Sequence, residues 1–154
     1  MARIVIGNAL FFGRSKASDL TIPWCIYTEP ELAHVGKTSQ ELGADGAPFQ
    51  TFTVQMSEVD RAILDGEDEG FVRVHADQKG RILAATIVAA HAGDMIAEFS
   101  LAMTNGLTMG NIAKTIHPYS TQAEAVRKVG DLHNRTRLTP LVKRAMNTIL
   151  AWRR

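Results

Sequence analysis

The sequence predicts an α+β domain, a mostly antiparallel sheet with helices packed on it. Three observations carry that expectation. Strand-like runs fill the chain up to Ala90 with short helical pieces between them, and helical patterns fill the remainder. A four-residue turn, Asp77-Gln78-Lys79-Gly80, joins the two strongest β runs, EGFVRVHAD and GRILAATIVAA. Of 154 residues, 45% are hydrophobic and 21% charged, the balance of a folded domain and not of a disordered chain.

Taken in order, residues 1–21 hold no sustained period, and IVIGNALFFG is expected as a short strand and turn. IPWCIYT is β-branched and aromatic, bounded by Pro23 and by Glu29-Pro30, and reads as a strand. TSQELGADG reads as a short helix with Thr38 or Ser39 as its cap and Gly43 or Gly46 as its stop. PFQTFTVQM alternates as a strand does, and SEVDRAIL follows as a helical turn or two capped by Ser57. The second hairpin strand is apolar on both faces, which predicts a central, doubly covered position. AGDMIAEFSLAMTNG carries Met95, Ile96, Phe99, Ala102 and Met103 at helical spacing and stops at Asn105-Gly106. TMGNIAKTI is a shorter helical piece. Pro118 interrupts the chain, and QAEAVRKVG follows as a helix capped by Ser120 or Thr121, with Glu124 in its first turn. TPLVKRAMNTILAWRR opens with Thr139 and Pro140 and carries an apolar stripe from Leu141 to Leu150.

Composition excludes several classes. A formal net charge of +1 gives no electrostatic case for nucleic acid. The charge is unevenly spread: residues 57–70 are acidic, while the stretch from Arg127 to Arg154 carries eight Lys/Arg against Asp131 alone. Cys25 is the one cysteine, so no internal disulfide, CxxC pair or four-Cys zinc site is possible, and a reducing, cytoplasmic setting fits. No run of about 18 apolar residues exists to span a bilayer. The last helix could lie on an anionic surface, but packing on protein is the commoner use of such a stripe. GxGxxG, a Walker loop, HExxH and GxSxG are all absent, so a dinucleotide would find no recognisable phosphate cradle. His91 and Asp94, with His34 and His75, lack metal-ligand spacing, and no metal is expected.

The most informative stretch is TIHPYSTQAEAVRK. His117 precedes Pro118 in a non-helical entry, so its ring can be aimed away from the following helix. Glu124 could orient a neighbouring side chain by a charge-assisted hydrogen bond. The same residues would also serve as an ordinary helix start with a first-turn carboxylate.

Several stretches together resemble one family. IPWCIYTEPELAHVG, GRILAATIVAAHAGDMIAEFSLAM and HPYSTQAEAVRK resemble, in order and spacing, the C-terminal interface domain of the FAD-dependent pyridine nucleotide–disulfide oxidoreductases. The similarity runs from Ile22 to Lys128, and the flanks IGNALFFGR and RTRLTPLVKR resemble the mercuric-reductase-like branch. The resemblance implies residues 1–21 as a linker remnant from a missing nucleotide-binding domain, 22–135 as a dimerisation domain and 136–154 as a C-terminal amphipathic helix. It implies a homodimer in which a His-Pro-Thr-x-x-Glu motif of one subunit reaches the flavin and cysteine pair of the other. Aligned on that motif, Thr121 and Glu124 match, Tyr119 stands where the catalytic His belongs, and His117 lies two positions earlier. Tyr119, Glu124, His117 and Thr121 are therefore the expected site residues, functional only in the complete dimeric enzyme. FAD and NAD(P)H would sit on domains outside this chain, which by itself is expected to bind neither and to be inactive. A free-standing regulatory module that pairs with a separate reductase, or a peripheral membrane protein, are the alternative readings.

Overall fold

In the computed structural model, which describes residues 2–138 and positions 144, 148, 151 and 152, the chain forms five strands and six helices among the described residues. Helix α1 spans Ala2–Leu10, followed by strands β1 (Trp24–Ile26) and β2 (Glu31–Gly36). Helix α2 (Ser39–Ala44), strand β3 (Gln50–Gln55) and helix α3 (Asp60–Asp65) come next. Strands β4 (Phe71–Ala76) and β5 (Ile82–Ala89) form the hairpin, and helices α4 (Ala92–Thr104), α5 (Met109–Lys114) and α6 (Glu124–Thr136) complete the domain. The five strands make one sheet in the order β1-β2-β5-β4-β3, every neighbour antiparallel. The expected α+β architecture is therefore the observed one.

Strand alternation divides the sheet into two faces. Paired positions Ala33, Ile87, Val72 and Val54 form one row across β2, β5, β4 and β3, and Val35, Ala85, Val74 and Phe52 form the next. All eight are buried and share one core with Met95, Ile96 and Phe99 of α4 and Val126 and Val129 of α6. The opposite face carries the row Trp24, His34, Thr86, Arg73 and Thr53. There His34 Nδ1 lies 2.9 Å from Thr86 Oγ1, and Arg73 Nε donates to Thr53 Oγ1 at 3.2 Å. Strand β5 is central as expected; on this second face Ala84 is fully buried, but Thr86 and Val88 are only half buried. Double coverage is therefore partial: the long helices α4 and α6 both lie on the other side.

The hairpin turn closes as its residues predict. Asp77 Oδ1 accepts from the backbone N–H groups of Lys79 and Arg81 at 2.9 Å each, and Gly80 takes a φ of 80°. At α2, Thr38 and Glu41 form a capping box, Thr38 N–H reaching Glu41 Oε2 at 2.7 Å.

Several features depart from the sequence reading. The N-terminal run is helical, α1, and not a strand and turn. Residues Glu31–Gly36, which no strand signal marked, form β2, because pairing on both sides supplies what local propensity lacks. Ser57 does not cap α3; it lies within a 3₁₀ turn, Met56–Glu58, and Glu58 instead reaches back to Gln55 N–H. Neither Ser120 nor Thr121 caps α6, whose first turn follows Ala123 without a side-chain bond. That helix also runs past Gly130. A Cβ on Gly130 would stand 2.8 Å from Ala113 N and 3.0 Å from Met109 O, so this glycine serves the close approach of α5 to α6 and is not a stop. The expected final helix, 139–154, falls almost wholly outside the described residues. Among the described residues no helix is long and apolar enough to cross a membrane.

Candidate functional site

The four expected site residues lie where α5 hands over to α6. The chain leaves α5 at Thr115, turns out into solvent at Ile116, and returns to the core at Gln122. Pro118 keeps this stretch from continuing as helix. Thr121 Oγ1 donates to Pro118 O at 2.9 Å, folding the segment back on itself.

Each side chain then goes its own way. Tyr119 is 76% exposed, and its hydroxyl donates to Asp60 Oδ2, on α3, at 2.9 Å. That hydrogen bond, with the Asp60 charge behind it, holds the phenol above its usual pKa, and slight desolvation and the Glu124 charge add to the effect. Tyr119 is therefore a proton-bearing donor at neutral pH. His117 points inward, its side chain 6% exposed. Its Nε2 lies 3.0 Å from both carboxylate oxygens of Glu98 on α4, and its Nδ1 lies 3.1 Å from Thr115 O.

Glu124 begins α6 and is 9% exposed. One oxygen, Oε1, accepts from Arg127 Nη2 at 3.0 Å and lies 3.9 Å from Lys128 Nζ. The other, Oε2, is buried and meets no donor among the described residues. Beside it, Gln122 gives Nε2 to Glu67 Oε2 at 2.5 Å, and its buried Oε1 is likewise unmatched. Buried acceptors without donors are uncommon and costly. Lys128 also donates to the backbone oxygen of Glu58, tying α6 to the turn before α3.

The structure thus gathers the four residues in one segment but makes no His117–Glu124 dyad. Three residues that the sequence did not mark prove to be their partners: Glu98, Asp60 and Arg127. Arg127 stands three positions after Glu124 on one helix, so its pairing was legible from spacing. Glu98 and Asp60 lie 19 and 59 residues from their partners, and no local pattern marks such contacts.

The other expected candidates are accounted for structurally. His75 Nε2 and Nδ1 lie 2.9 Å from Ser39 Oγ and Thr51 Oγ1, and His34 spans Thr86 and Gly36. Among the described residues no three His, Cys, Asp or Glu side chains are arranged for a metal ion. Cys25 is half buried in β1, and desolvation, then the charges of Glu31 and Asp94, raise its thiol pKa.

Among the described residues, the turn from β5 into α4 does not fit a dinucleotide phosphate. The strand-to-helix turn from β5 into α4 is the natural place to look for a phosphate. There Gly93 N–H is already taken by Glu31 Oε2 at 2.8 Å, and Asp94 adds a second negative charge to the first turn. A pyrophosphate would meet two carboxylates.

A family model described as pyridine nucleotide-disulphide oxidoreductase, dimerisation domain, matches residues 22–129. A dihydrolipoyl dehydrogenase of Mycoplasma pneumoniae is 46% identical over 114 residues, which cover 73% of this chain and 25% of that protein. A mercuric reductase of Streptomyces lividans is 38% identical over 126 residues, 80% of this chain and 26% of the other. An HOCl-induced flavoprotein disulfide reductase from Escherichia coli shares the fold, with a TM-score of 0.78 at 24% identity over 84% of this chain and 30% of its own. The chain spans about a quarter of the length of the curated relatives it matches.

Proposed function

This chain belongs to the dimerisation-domain family of the pyridine nucleotide-disulphide oxidoreductases, and from that premise we propose that it is the interface domain of a flavin-dependent disulfide reductase. It pairs with a second copy of itself and lends residues 115–124 to the site of the partner subunit. The observation that carries this reading is the presentation of Tyr119. Its ring faces away from its own core at 76% exposure, next to Ile116 at 94%, while the fold keeps comparable apolar side chains such as Phe99 and Met109 closed. A phenol and an aliphatic side chain on one solvent-facing turn suit a surface that another chain completes.

FAD and NAD(P)H, held by domains outside these residues, would supply the electron transfer. The part assigned to this chain is smaller. Tyr119, protonated at neutral pH, would turn its one O–H from Asp60 to an acceptor that the partner subunit brings. Thr121 shapes the turn, and Glu124 offers its unmatched Oε2 to a donor arriving from the same side. Within the family, the mercuric-reductase-like branch is the reading we favour. A tyrosine where the acid–base histidine belongs supports it, as does the Streptomyces relative matched over 126 residues. The Mycoplasma relative is more identical over a shorter stretch, so the branch rests on Tyr119 and not on identity.

Multi-angle light scattering of the purified chain tests the central claim. A particle of twice the 16.9 kDa chain mass is expected. A monomer at concentrations of about 10 μM, well above the affinity that obligate interfaces reach, overturns the reading.

A further inference from the structure

Among the described residues, two contacts between side chains tie the segment from Thr115 to Thr121 to the rest of the fold, and they are unequal. At its tip, Tyr119 meets Asp60 in open solvent, where water competes for both partners. At its root, His117 meets Glu98 in a groove of about 260 Å³ between α4 and α5. The groove is lined from α4 by Leu101, from α5 by Asn111 and Ile112, and from the turn between them by Leu107. None of these is charged. Glu98 is the one charged side chain, among the described residues, within ion-pair distance of the ring.

Both ring nitrogens of His117 face groups that can only accept. Thr115 O is a carbonyl, and the Glu98 oxygens belong to a carboxylate. The carboxylate is the stronger of the two acceptors, so a ring N–H belongs at Nε2. Glu98 is itself well mounted. It projects from a helix whose Met95, Ile96 and Phe99 are locked into the core.

We infer that Glu98 is a positioning residue: by holding the His117 ring at Nε2, it fixes the root of the segment that presents Tyr119. The inference rests on the reading of that segment as part of a shared site, but it is tested separately from dimer formation. Tyr119 lies two residues from the clamped ring, with only Pro118 between, so rotational freedom at His117 becomes displacement at the phenol.

Nitrogen-resolved NMR of the histidine rings, on the full chain, provides the test. In the unaltered chain His117 is expected to show a slowly exchanging Nε2–H resonance, protected by its hydrogen bond to Glu98. In Glu98→Ala, which removes the acceptor, that resonance is lost to exchange, and the Tyr119 ring signals shift while the backbone signals of the sheet stay in place. In Glu98→Gln, whose carboxamide oxygen can still accept, the resonance and the Tyr119 signals stay. The absence of a protected Nε2–H in the unaltered chain overturns the inference, and so do Tyr119 signals that do not move in Glu98→Ala. Light scattering on the same samples keeps the outcomes apart: a failed clamp leaves the dimer unaffected, and a monomer with an intact clamp counts only against the proposed function.

Discussion

His75 on the sheet and His117 on the α5–α6 connection are both closed to solvent, and each uses both ring nitrogens. They differ in what those nitrogens meet. His75 lies between two hydroxyls, Ser39 and Thr51, which can turn to donate or accept as the ring requires. His117 lies between a carbonyl and a carboxylate, which cannot. One environment suits a neutral ring, and desolvation, reinforced by the Arg73 and His34 charges, lowers the His75 pKa accordingly. The other fixes a ring N–H toward a carboxylate. Two histidines with closed side chains are thus held in different ways, and burial alone does not say which.

Replacing each ring by phenylalanine gives the largest expected contrast. His117→Phe leaves the Glu98 carboxylate facing an apolar ring and should cost about 1.5–3 kcal/mol, the range for hydrogen bonds to charged groups. His75→Phe strands two neutral hydroxyls that can turn elsewhere, and should cost about 0.5–1.5 kcal/mol. Urea unfolding of both variants, with unchanged denaturant slopes, measures the difference. Equal losses would erase the distinction between the two sites.

The contrast also marks where the sequence was legible. Features built from neighbours in the chain could be read directly: the turn at Asp77–Gly80, the Thr38–Glu41 cap, and the helical stripe Met95, Ile96, Phe99. The strand Glu31–Gly36 could not, since its apolar residues Leu32, Ala33 and Val35 are too few to announce it, and two flanking strands hold it in place. Gly130 was readable as a glycine but not as a contact, because a helix stop and a close helix approach ask for the same residue. At the candidate site the segment itself was visible, Pro118 and Glu124 included. Its partners were not, for Glu98 and Asp60 are ordinary surface carboxylates until the fold brings them to His117 and Tyr119.

Acid sharpens the comparison at intermediate size. The His75 and His133 pKa values both lie below the ordinary one, His133 through desolvation first and the Arg137 charge second. A folded state that resists protonation binds fewer protons than the unfolded chain, so stability rises with pH across that window. Their contribution is complete above about pH 6.5 and is lost as pH falls through the depressed values. Urea midpoints measured between about pH 6.5 and 5, before most carboxylates titrate, should therefore fall with pH. A His75→Gln, His133→Gln double variant should flatten the slope. A slope that persists unchanged would place the acid sensitivity in other groups.

The smallest effect on stability is expected at the residue with the largest expected role. Tyr119→Phe removes one hydroxyl from an exposed ring and releases Asp60 to water, so the urea midpoint should scarcely move. The aromatic ring stays, and with it whatever apolar contact a second copy makes. Light scattering should find the variant still dimeric. If the hydroxyl is an outward-facing donor, its loss should appear in a complete reductase carrying this domain, as a lower kcat with little change in assembly. A Tyr119→Phe protein that unfolds at markedly lower urea would instead mean that the phenol belongs to this fold's own stability, and that the surface it occupies was never meant for a partner.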